Sequence, residues 1–219
     1  MNRKYHILQL AFLILATLPV QAQAELRRPT LKPFFVEAKA GLAMPLTDLE
    51  LASCDAVNSG CALQWGTRPE LAVAAGMRVW DPLMLDVGLR LGYGVQWSWS
   101  VGGSDFRYDP GISLVELSPF ARGAIFPFGT EDWGISGELG LGLVFAFGGT
   151  RGGNDFPEET QMMLRIRIAF GAVWRWSASM AWIFNAASLT ADVSVTDQFK
   201  DAVGSVVSWE PHAAFQYRF

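Results

Sequence analysis

His212 is the side chain best suited to proton transfer, and it lies two positions from Glu210 in an alternating C-terminal run. Ser208 shares their parity, so an extended strand would place a hydroxyl, a carboxylate and an imidazole on one side. Nucleophilic catalysis needs a nucleophile held by a base that a third group orients. One histidine within a single strand shows no recognisable arrangement of that kind. We therefore expect a core histidine, no catalytic residues and no enzymatic activity.

Charged residues recur along the chain on the parity opposite to the large apolar residues. An extended strand points alternate side chains to opposite faces, so these charges would share one face. Isolated buried charge is very costly, whereas paired charge is tolerated. We predict an interlocking ionic network in a narrow interior, with a narrow or gated path lined by arginines as the alternative. The network comprises eight bases and six acids: Lys39, Arg78, Arg90, Arg122, Arg165, Arg167, Arg175, Arg218, Glu37, Glu70, Asp86, Glu116, Glu138 and Glu210.

The two cysteines, Cys54 and Cys61, lie seven positions apart in a polar stretch. An exported chain meets an oxidising compartment, where a disulfide is the expected state of such a pair. Closing so small a loop would contribute about 2 to 3 kcal/mol in the chain-entropy model. Two thiols and Asp55 are too few ligands for a metal site.

The glycine-rich segment 148–153 lacks the Lys-Ser/Thr pair and the following helix of a phosphate loop. We expect a loop tip there and no cofactor.

Stepwise alternation of apolar and polar residues indicates β-strands throughout. The third predicted strand is the clearest, because large apolar residues hold one parity from Leu83 to Trp99 without interruption. The seventh is the weakest, and its pattern dissolves after Asn185. Eight strands follow, at about Phe34–Met44, Glu70–Trp80, 83–99, Ile112–Phe126, Trp133–Phe147, 162–175, 180–185 and Trp209–Phe219.

The connections between these strands alternate in length. Those near 81–82, 127–132 and 176–178 are short, and those near 46–67, 100–110, 148–160 and 187–205 are long. An even strand number with short turns at one end and long loops at the other is typical of outer-membrane barrels. Aromatic residues cluster towards both ends, as two interfacial girdles would require. The short-turn girdle includes Trp80, Phe126, Phe128, Trp133, Trp174, Trp176 and Phe219.

A lipocalin-like barrel is the main structural rival, but its apolar parity must line the interior. An eight-stranded lumen has room for little more than side chains. Nine large apolar residues from the third strand alone would overfill it, whereas the polar parity is rich in glycine, alanine and serine. The sequence therefore predicts an all-β, eight-stranded antiparallel up-and-down transmembrane β-barrel. No stretch after the N-terminal region is long and apolar enough for a membrane helix.

Residues 1–24 are predicted to be a cleaved signal peptide, with Arg3 and Lys4 before an apolar core and Ala22-Gln23-Ala24 at the cut. Residues 25–32 would form a short periplasmic segment and residues 33–219 the barrel domain. Removal of the signal leaves 15 basic and 21 acidic side chains, a net charge of −6. That balance favours no nucleic-acid partner.

The chain ends on alternating aromatics, Phe215, Tyr217 and Phe219. With its hairpin number, loop asymmetry and lumen composition, it resembles the small OmpA/OmpX-type outer-membrane barrels. The resemblance implies location in the outer membrane of a Gram-negative bacterium, with both barrel termini periplasmic. It also implies that the terminal aromatics are a signal for the barrel-assembly machinery.

The function expected from this resemblance is non-catalytic, in envelope integrity or surface interaction. Outer-membrane lipid and lipopolysaccharide would surround a monomer, and an extracellular partner could meet the long loops, which carry eleven acids and three bases. A narrow gated channel for ions or small solutes is the first alternative. A lipid-modifying outer-membrane enzyme is the second.

Overall fold

The computed structural model describes residues 32–46, 49–50, 62–80, 84–101, 104–127, 132–151, 154–155, 160–195 and 206–219. The predicted signal peptide, nearly all of the 25–32 segment and both cysteines lie outside these residues. Within the described ranges, no helix is long and apolar enough to cross a membrane.

Eight long strands form one antiparallel sheet, and seven of them are 12 to 22 residues long. The eighth has two segments separated by Glu210 and Pro211, because proline has no amide to continue the ladder. The strands are β1 (Phe34–Pro45), β2 (Arg68–Trp80), β3 (Leu85–Val101), β4 (Ser104–Ile125), β5 (Trp133–Phe147), β6 (Gln161–Arg175), β7 (Met180–Ser194) and β8 (Val206–Trp209 and His212–Arg218).

Each strand pairs with its sequence neighbours, and β1 also pairs with β8, which closes the sheet into a barrel. The closing seam runs from Pro45 opposite Ser208 to Phe35 opposite Arg218. At its end, Phe34 and Phe219 exchange backbone hydrogen bonds of 3.4 and 3.0 Å. A closed barrel leaves no strand edge unpaired, which a lipid environment requires. The predicted eight-stranded antiparallel barrel is confirmed.

The two faces of the barrel differ as the alternation predicts. Large apolar side chains project outward from all eight strands, including Leu71, Leu139 and Phe170, which are 61%, 57% and 58% exposed. The inward face is buried and rich in charge. A lipocalin-like barrel has the opposite arrangement, so that rival is excluded.

Short connections link the strands at one end of the barrel, called here the turn end, where Phe34 and Phe219 also lie. The opposite end is called the loop end. Outward rings pack along the turn end, with Trp133 and Trp174 stacked at 5.6 Å between centroids and Phe34 and Phe219 at 6.1 Å. Phe126 does not belong to this outer girdle. Its ring lies inside the barrel, with the ring centroid 3.7 Å from the guanidinium carbon of Arg175.

At the loop end, parts of the predicted loops are strands. The β3–β4 hairpin continues until Val101 pairs with Ser104, so the connection predicted near 100–110 is mostly paired backbone. Within the stretch predicted as loop 46–67, the short strands Leu49–Glu50 and Ala62–Trp65 pair with each other, and the second also pairs with β3. A further short pair joins Thr150–Arg151 to Asn154–Asp155.

The strand β7 continues to Ser194, well beyond Asn185, where the alternation in the sequence dissolves. The register between β6 and β7 shifts around Gly171, because Phe170 pairs with Ala187 whereas Ala172 pairs with Phe184. One extra β7 residue is therefore accommodated in a β-bulge. Odd-numbered residues of β7 face the lumen before the bulge, and even-numbered residues face it after the bulge. A Cβ on Gly171 would lie 1.9 Å from the Phe184 carbonyl oxygen, so only glycine permits this approach.

Candidate functional site

The lumen is the candidate site, since alternate residues of every strand direct charged groups into it. Among the described residues, the buried or nearly buried lumen charges are nine bases and seven acids. All fourteen residues of the sequence-derived set lie on this face. The structure adds Arg68 and Asp192, which are each 2% exposed.

The loop-end part of the lumen is organised by Arg165. Its Nε and Nη2 donate to the two carboxylate oxygens of Asp192 at 2.7 and 2.8 Å. Its Nη1 donates to Glu116 at 2.7 Å and to Glu70 at 3.3 Å. Arg68 bonds to Glu70 and Asp192 at 2.9 and 3.3 Å. Two arginines thus hold three carboxylates across the barrel, in the planar geometry that guanidinium groups favour.

The middle of the lumen is organised by Arg167 and Glu210, which are both fully buried. Arg167 donates to the two oxygens of Glu116 at 2.7 and 2.9 Å, and to Glu210 at 2.9 Å. Glu210 also accepts from Lys39 Nζ at 2.6 Å and from Thr190 Oγ1 at 2.6 Å. Because Glu116 contacts both Arg165 and Arg167, this cluster is continuous with the loop-end one.

A third cluster lies nearer the turn end. Arg122 donates to both oxygens of Glu37 and, through Nε, to Glu138 at 3.1 Å. Arg90 Nη2 lies 2.7 Å from Glu138 Oε1, and the Arg90 guanidinium is 4.5 Å from the centroid of the Phe120 ring. Two carboxylates therefore balance two guanidiniums, with an aromatic face as a further partner for the cations.

A fourth cluster lies at the turn end, around Asp86. Asp86 contacts Arg218 closely and lies 3.4 Å from Arg78 Nε. Arg218 Nε donates to Gln216 Oε1 at 3.0 Å. Arg175 lies against the Phe126 ring and near the sulfur of Met84.

Inward glycines make room for these long side chains. A Cβ on Gly142 would lie 2.5 Å from the Ser118 Cβ, and one on Gly92 would lie 3.1 Å from the Glu116 Cβ. Nearer the turn end, Gly76 and Gly88 face the buried rings of Phe35 and Phe120. Small residues on one strand and large ones on its neighbour fill the narrow interior.

His212 is held in the lumen wall by two polar partners. Its Nδ1 donates to the Glu210 carbonyl oxygen at 3.0 Å, so its Nε2 accepts from the Asn185 amide at 2.8 Å. This assignment makes the ring neutral, with both nitrogens engaged. Asn185 in turn accepts from Ser136 at 3.4 Å. The contacts fix the ring rather than aim it at a nucleophile.

Sequence reasoning misses Arg68 and Asp192 for different reasons. Arg68 has the same parity as Glu70, but the predicted second strand begins at Glu70. The observed strand begins two residues earlier and includes Arg68. Asp192 is at an even position whereas Asn185 is at an odd one, and only the bulge beside Gly171 turns both inward. The sequence pattern therefore places Asp192 in an acidic loop.

The remaining predicted site residues lie elsewhere. Phe215, Tyr217 and Phe219 are on the outer face at the turn end, and Phe219 is 53% exposed. Cys54 and Cys61 lie outside the described residues. In the described part of the chain, no three His, Cys, Asp or Glu residues are grouped to hold a metal ion.

Comparisons with known proteins yield neither a matching family model nor a matching curated protein. Solved structures do match. Neisserial surface protein A superposes with a TM-score of 0.58 at 15% identity, covering 85% of this chain and 97% of that one. A major outer membrane protein from Thermus thermophilus gives 0.47 at 15% identity, covering 84% and 98%. OprG from Pseudomonas aeruginosa gives 0.45 at 11% identity, covering 86% and 97%. The closed barrel and the first of these similarities establish that the chain has the fold of the small eight-stranded outer-membrane β-barrels.

Proposed function

We propose that the protein is a non-catalytic outer-membrane barrel whose lumen is kept closed by its ionic network. Its role is then in envelope integrity or in surface interaction through the long connections at the loop end. The observation that carries this proposal is that buried ion pairs occupy the lumen along its length, from Arg68 near the loop end to Arg218 at the turn end. Each cluster includes charged groups that are at most 8% exposed.

The energetics of buried charge support a closed lumen. Removing one member of a buried ion pair typically costs about 3 to 5 kcal/mol, because the other is left uncompensated. Arg165 and Arg167 each contact several carboxylates, so moving either aside would break several such pairs together. A conducting path through the lumen would require the side chain of Arg165 or Arg167 to move aside. A closed lumen keeps all of these ion pairs.

The outward face supports the proposed surroundings. In a Gram-negative outer membrane the apolar belt would contact lipid, the loop end would lie among lipopolysaccharide, and the turn end and both barrel termini would be periplasmic. Phe215, Tyr217 and Phe219 would engage the barrel-assembly machinery during biogenesis. The closed sheet offers no edge for strand addition, which favours a monomer. Any extracellular partner would be met by the loop-end connections, whose charge is predominantly acidic.

Planar-bilayer recording tests the closed lumen. Inserted wild-type protein should show negligible conductance. The double variant Glu116→Ala with Arg167→Ala removes one acid and one base from the middle of the lumen without changing its net charge, and it should conduct measurably. Its conductance would also show that the preparation inserts. Thr190→Val is the control, because it keeps the charges and the volume of the lumen and should remain closed.

Stable openings by the wild type would contradict the proposal. If Arg165→Ala or Arg167→Ala abolished those openings, the narrow arginine-lined channel would replace the closed barrel as the function of the lumen.

A further inference from the structure

The bulge in β7 lies directly beside the interruption of β8. Two regular pairs flank this level of the wall, Asn185 with His212 and Leu189 with Trp209. Between them, residues 186–188 of β7 lie opposite residues 210–211 of β8. A regular ladder cannot pass a mismatch of three residues against two, so the two strands need other contacts here. This level is called here the β7–β8 gap.

On the lipid face, a tryptophan bridges the β7–β8 gap. Trp209 Nε1 of β8 donates to the Ala186 carbonyl oxygen of β7 at 2.7 Å. Ala186 lies within the apolar belt, since its outward neighbours Phe184 and Leu189 are 41% and 50% exposed. Hydrocarbon offers no water to the backbone groups of a bulge, so a donor that the protein itself supplies matters most at such a position.

On the lumen face, two more side-chain hydrogen bonds cross the same gap. The Asn185 amide of β7 donates to His212 Nε2 of β8 at 2.8 Å, and Thr190 Oγ1 of β7 donates to Glu210 of β8 at 2.6 Å. All four of these residues are buried. One main-chain bond also crosses, from the Glu210 amide to the Ser188 carbonyl oxygen at 2.8 Å. The two strands are therefore held together from both faces of the wall.

We propose that Trp209 and His212 are positioning residues that keep the barrel wall closed at the β7–β8 gap. Trp209 holds β7 from the lipid face, and His212 holds it from the lumen face through Asn185. The bulge depends on both, because each supplies a contact across the mismatch in the ladder. When either bond is lost, the wall opens first at this gap. This role concerns the wall of the barrel and does not depend on whether the lumen conducts.

The lipid-face bond is tested by removing its donor with and without the bulge. The protein is refolded into phosphatidylcholine vesicles and unfolded with urea. Trp209→Phe keeps an outward aromatic ring but has no indole N–H. It should lower the equilibrium constant for folding about tenfold, as the loss of a partner for a polar group away from water does. The same substitution in a variant that lacks Ala186 should have a much smaller effect, because the mismatch is then removed.

Trp182→Phe is the matched control. Trp182 is a second outward tryptophan of this region, and its described ring contacts are with Phe184 and Phe215. Its substitution should have the same effect whether or not Ala186 is present.

Equal weakening by Trp209→Phe with and without Ala186 would overturn the proposal, and so would the same dependence on Ala186 in Trp182→Phe. If Trp209→Phe alone does not fold, recovery of heat-modifiable protein on deletion of Ala186 supports the proposal. Failure to fold in both backgrounds contradicts it.

The lumen-face bond is tested in the chain that retains Ala186. His212→Gln offers a side-chain oxygen that can replace Nε2 as the acceptor for Asn185, whereas His212→Leu offers no acceptor. Neither variant keeps the imidazole Nδ1 donor, so their difference reports the contact with Asn185. His212→Gln should be the more stable of the two in the same urea titration. Equal stability would overturn the role of His212.

Hydrogen exchange followed by mass spectrometry locates the opening. In Trp209→Phe and in His212→Leu, exchange should increase in the peptide that contains residues 183–190 and stay unchanged in β3 and β4. An increase spread evenly over the barrel would mean a general loss of stability, and it would overturn the assignment of the wall's weakest point to this gap.

Discussion

Glu210 shows at the scale of a single residue how the lumen is stabilised. It is fully buried between the two segments of β8, and it accepts hydrogen bonds from an ammonium, a guanidinium and a hydroxyl. In Glu210→Gln the amide keeps the shape but not the charge. Lys39 then loses the closest of its carboxylate partners. We expect a loss of about 3 to 5 kcal/mol in the free energy of unfolding, measured by urea titration in detergent or lipid.

A second substitution provides the internal control for this effect. Lys39→Met in the Glu210→Gln background removes the uncompensated ammonium, while Arg167 keeps its bonds of 2.7 and 2.9 Å to Glu116. The double variant should therefore be more stable than Glu210→Gln alone. Equal instability of the two proteins would show that the Lys39–Glu210 pair contributes nothing specific.

The cysteine pair is a separate prediction at this scale. Peptide mass mapping without reduction should find Cys54 linked to Cys61 in protein isolated from the envelope. Replacing both by serine should leave the barrel folded, because the strand pairings described above do not involve either residue. Two freely alkylatable thiols in the native protein would refute the linkage.

How far individual residues can be placed from sequence depends on local periodicity. Arg165 and Arg167 are predicted in the lumen because their strand alternates without interruption. Phe126 is predicted in the outer girdle by its aromatic character, yet its ring lies under Arg175 inside the barrel. The pairing of each arginine with its carboxylates depends on the curvature of the barrel and on the register between strands. Neither can be read from the alternation within a single strand.

At the scale of the element, the bulge in β7 determines which of its residues face the lumen. Before it, Ile183 and Asn185 point inward, and after it Thr190 and Asp192 do. A strand's side-chain period is two, so a single inserted residue reverses every later assignment. This is why the sequence pattern dissolves after Asn185 although the backbone pairing continues to Ser194.

Deleting Ala186 tests this interpretation of β7. Ala186 and Ala187 both face outward at the bulge, so removing the extra residue leaves an unbroken alternation in which Thr190 and Asp192 still face the lumen. We therefore expect the deletion variant to remain heat-modifiable in refolding assays. Deleting Ile166 from the regular part of β6 is the contrasting variant: it makes Arg165 and Arg167 neighbours, so one of them must face lipid, and almost no heat-modifiable protein is expected. Equal loss of folded protein in both variants would contradict the bulge.

At the scale of the whole molecule, closure depends on the seam between β1 and β8. Phe219 contributes one hydrogen bond in each direction with Phe34, and its ring stacks on Phe34 and Tyr217 at 6.1 and 6.4 Å. Its removal costs one residue's packing and pairing, about 1 to 3 kcal/mol. The remaining pairs of the seam, from Phe35 to Pro45, stay in place.

We therefore predict that deleting Phe219 lowers the amount of membrane-assembled protein in cells much more than the yield of refolding into detergent. Heat-modifiable protein is measured in both settings, with Tyr217→Phe as a control that keeps the aromatic pattern. Equal losses in both settings would mean that Phe219 is purely structural. No loss in either would remove its proposed part in assembly.

The pairing of β1 with β8 makes the network of strand contacts circular, although the polypeptide is linear. Every strand has two neighbours, and no position around the ring is privileged by hydrogen bonding. Since residues 34 and 219 meet at the turn end, a short linker could join them while new termini are opened in another connection at that end, such as 128–131. Such a circular permutant would keep each cross-strand partner described here, including those of Arg165 and Glu210. The covalent order of the strands is thus separable from the architecture that they build.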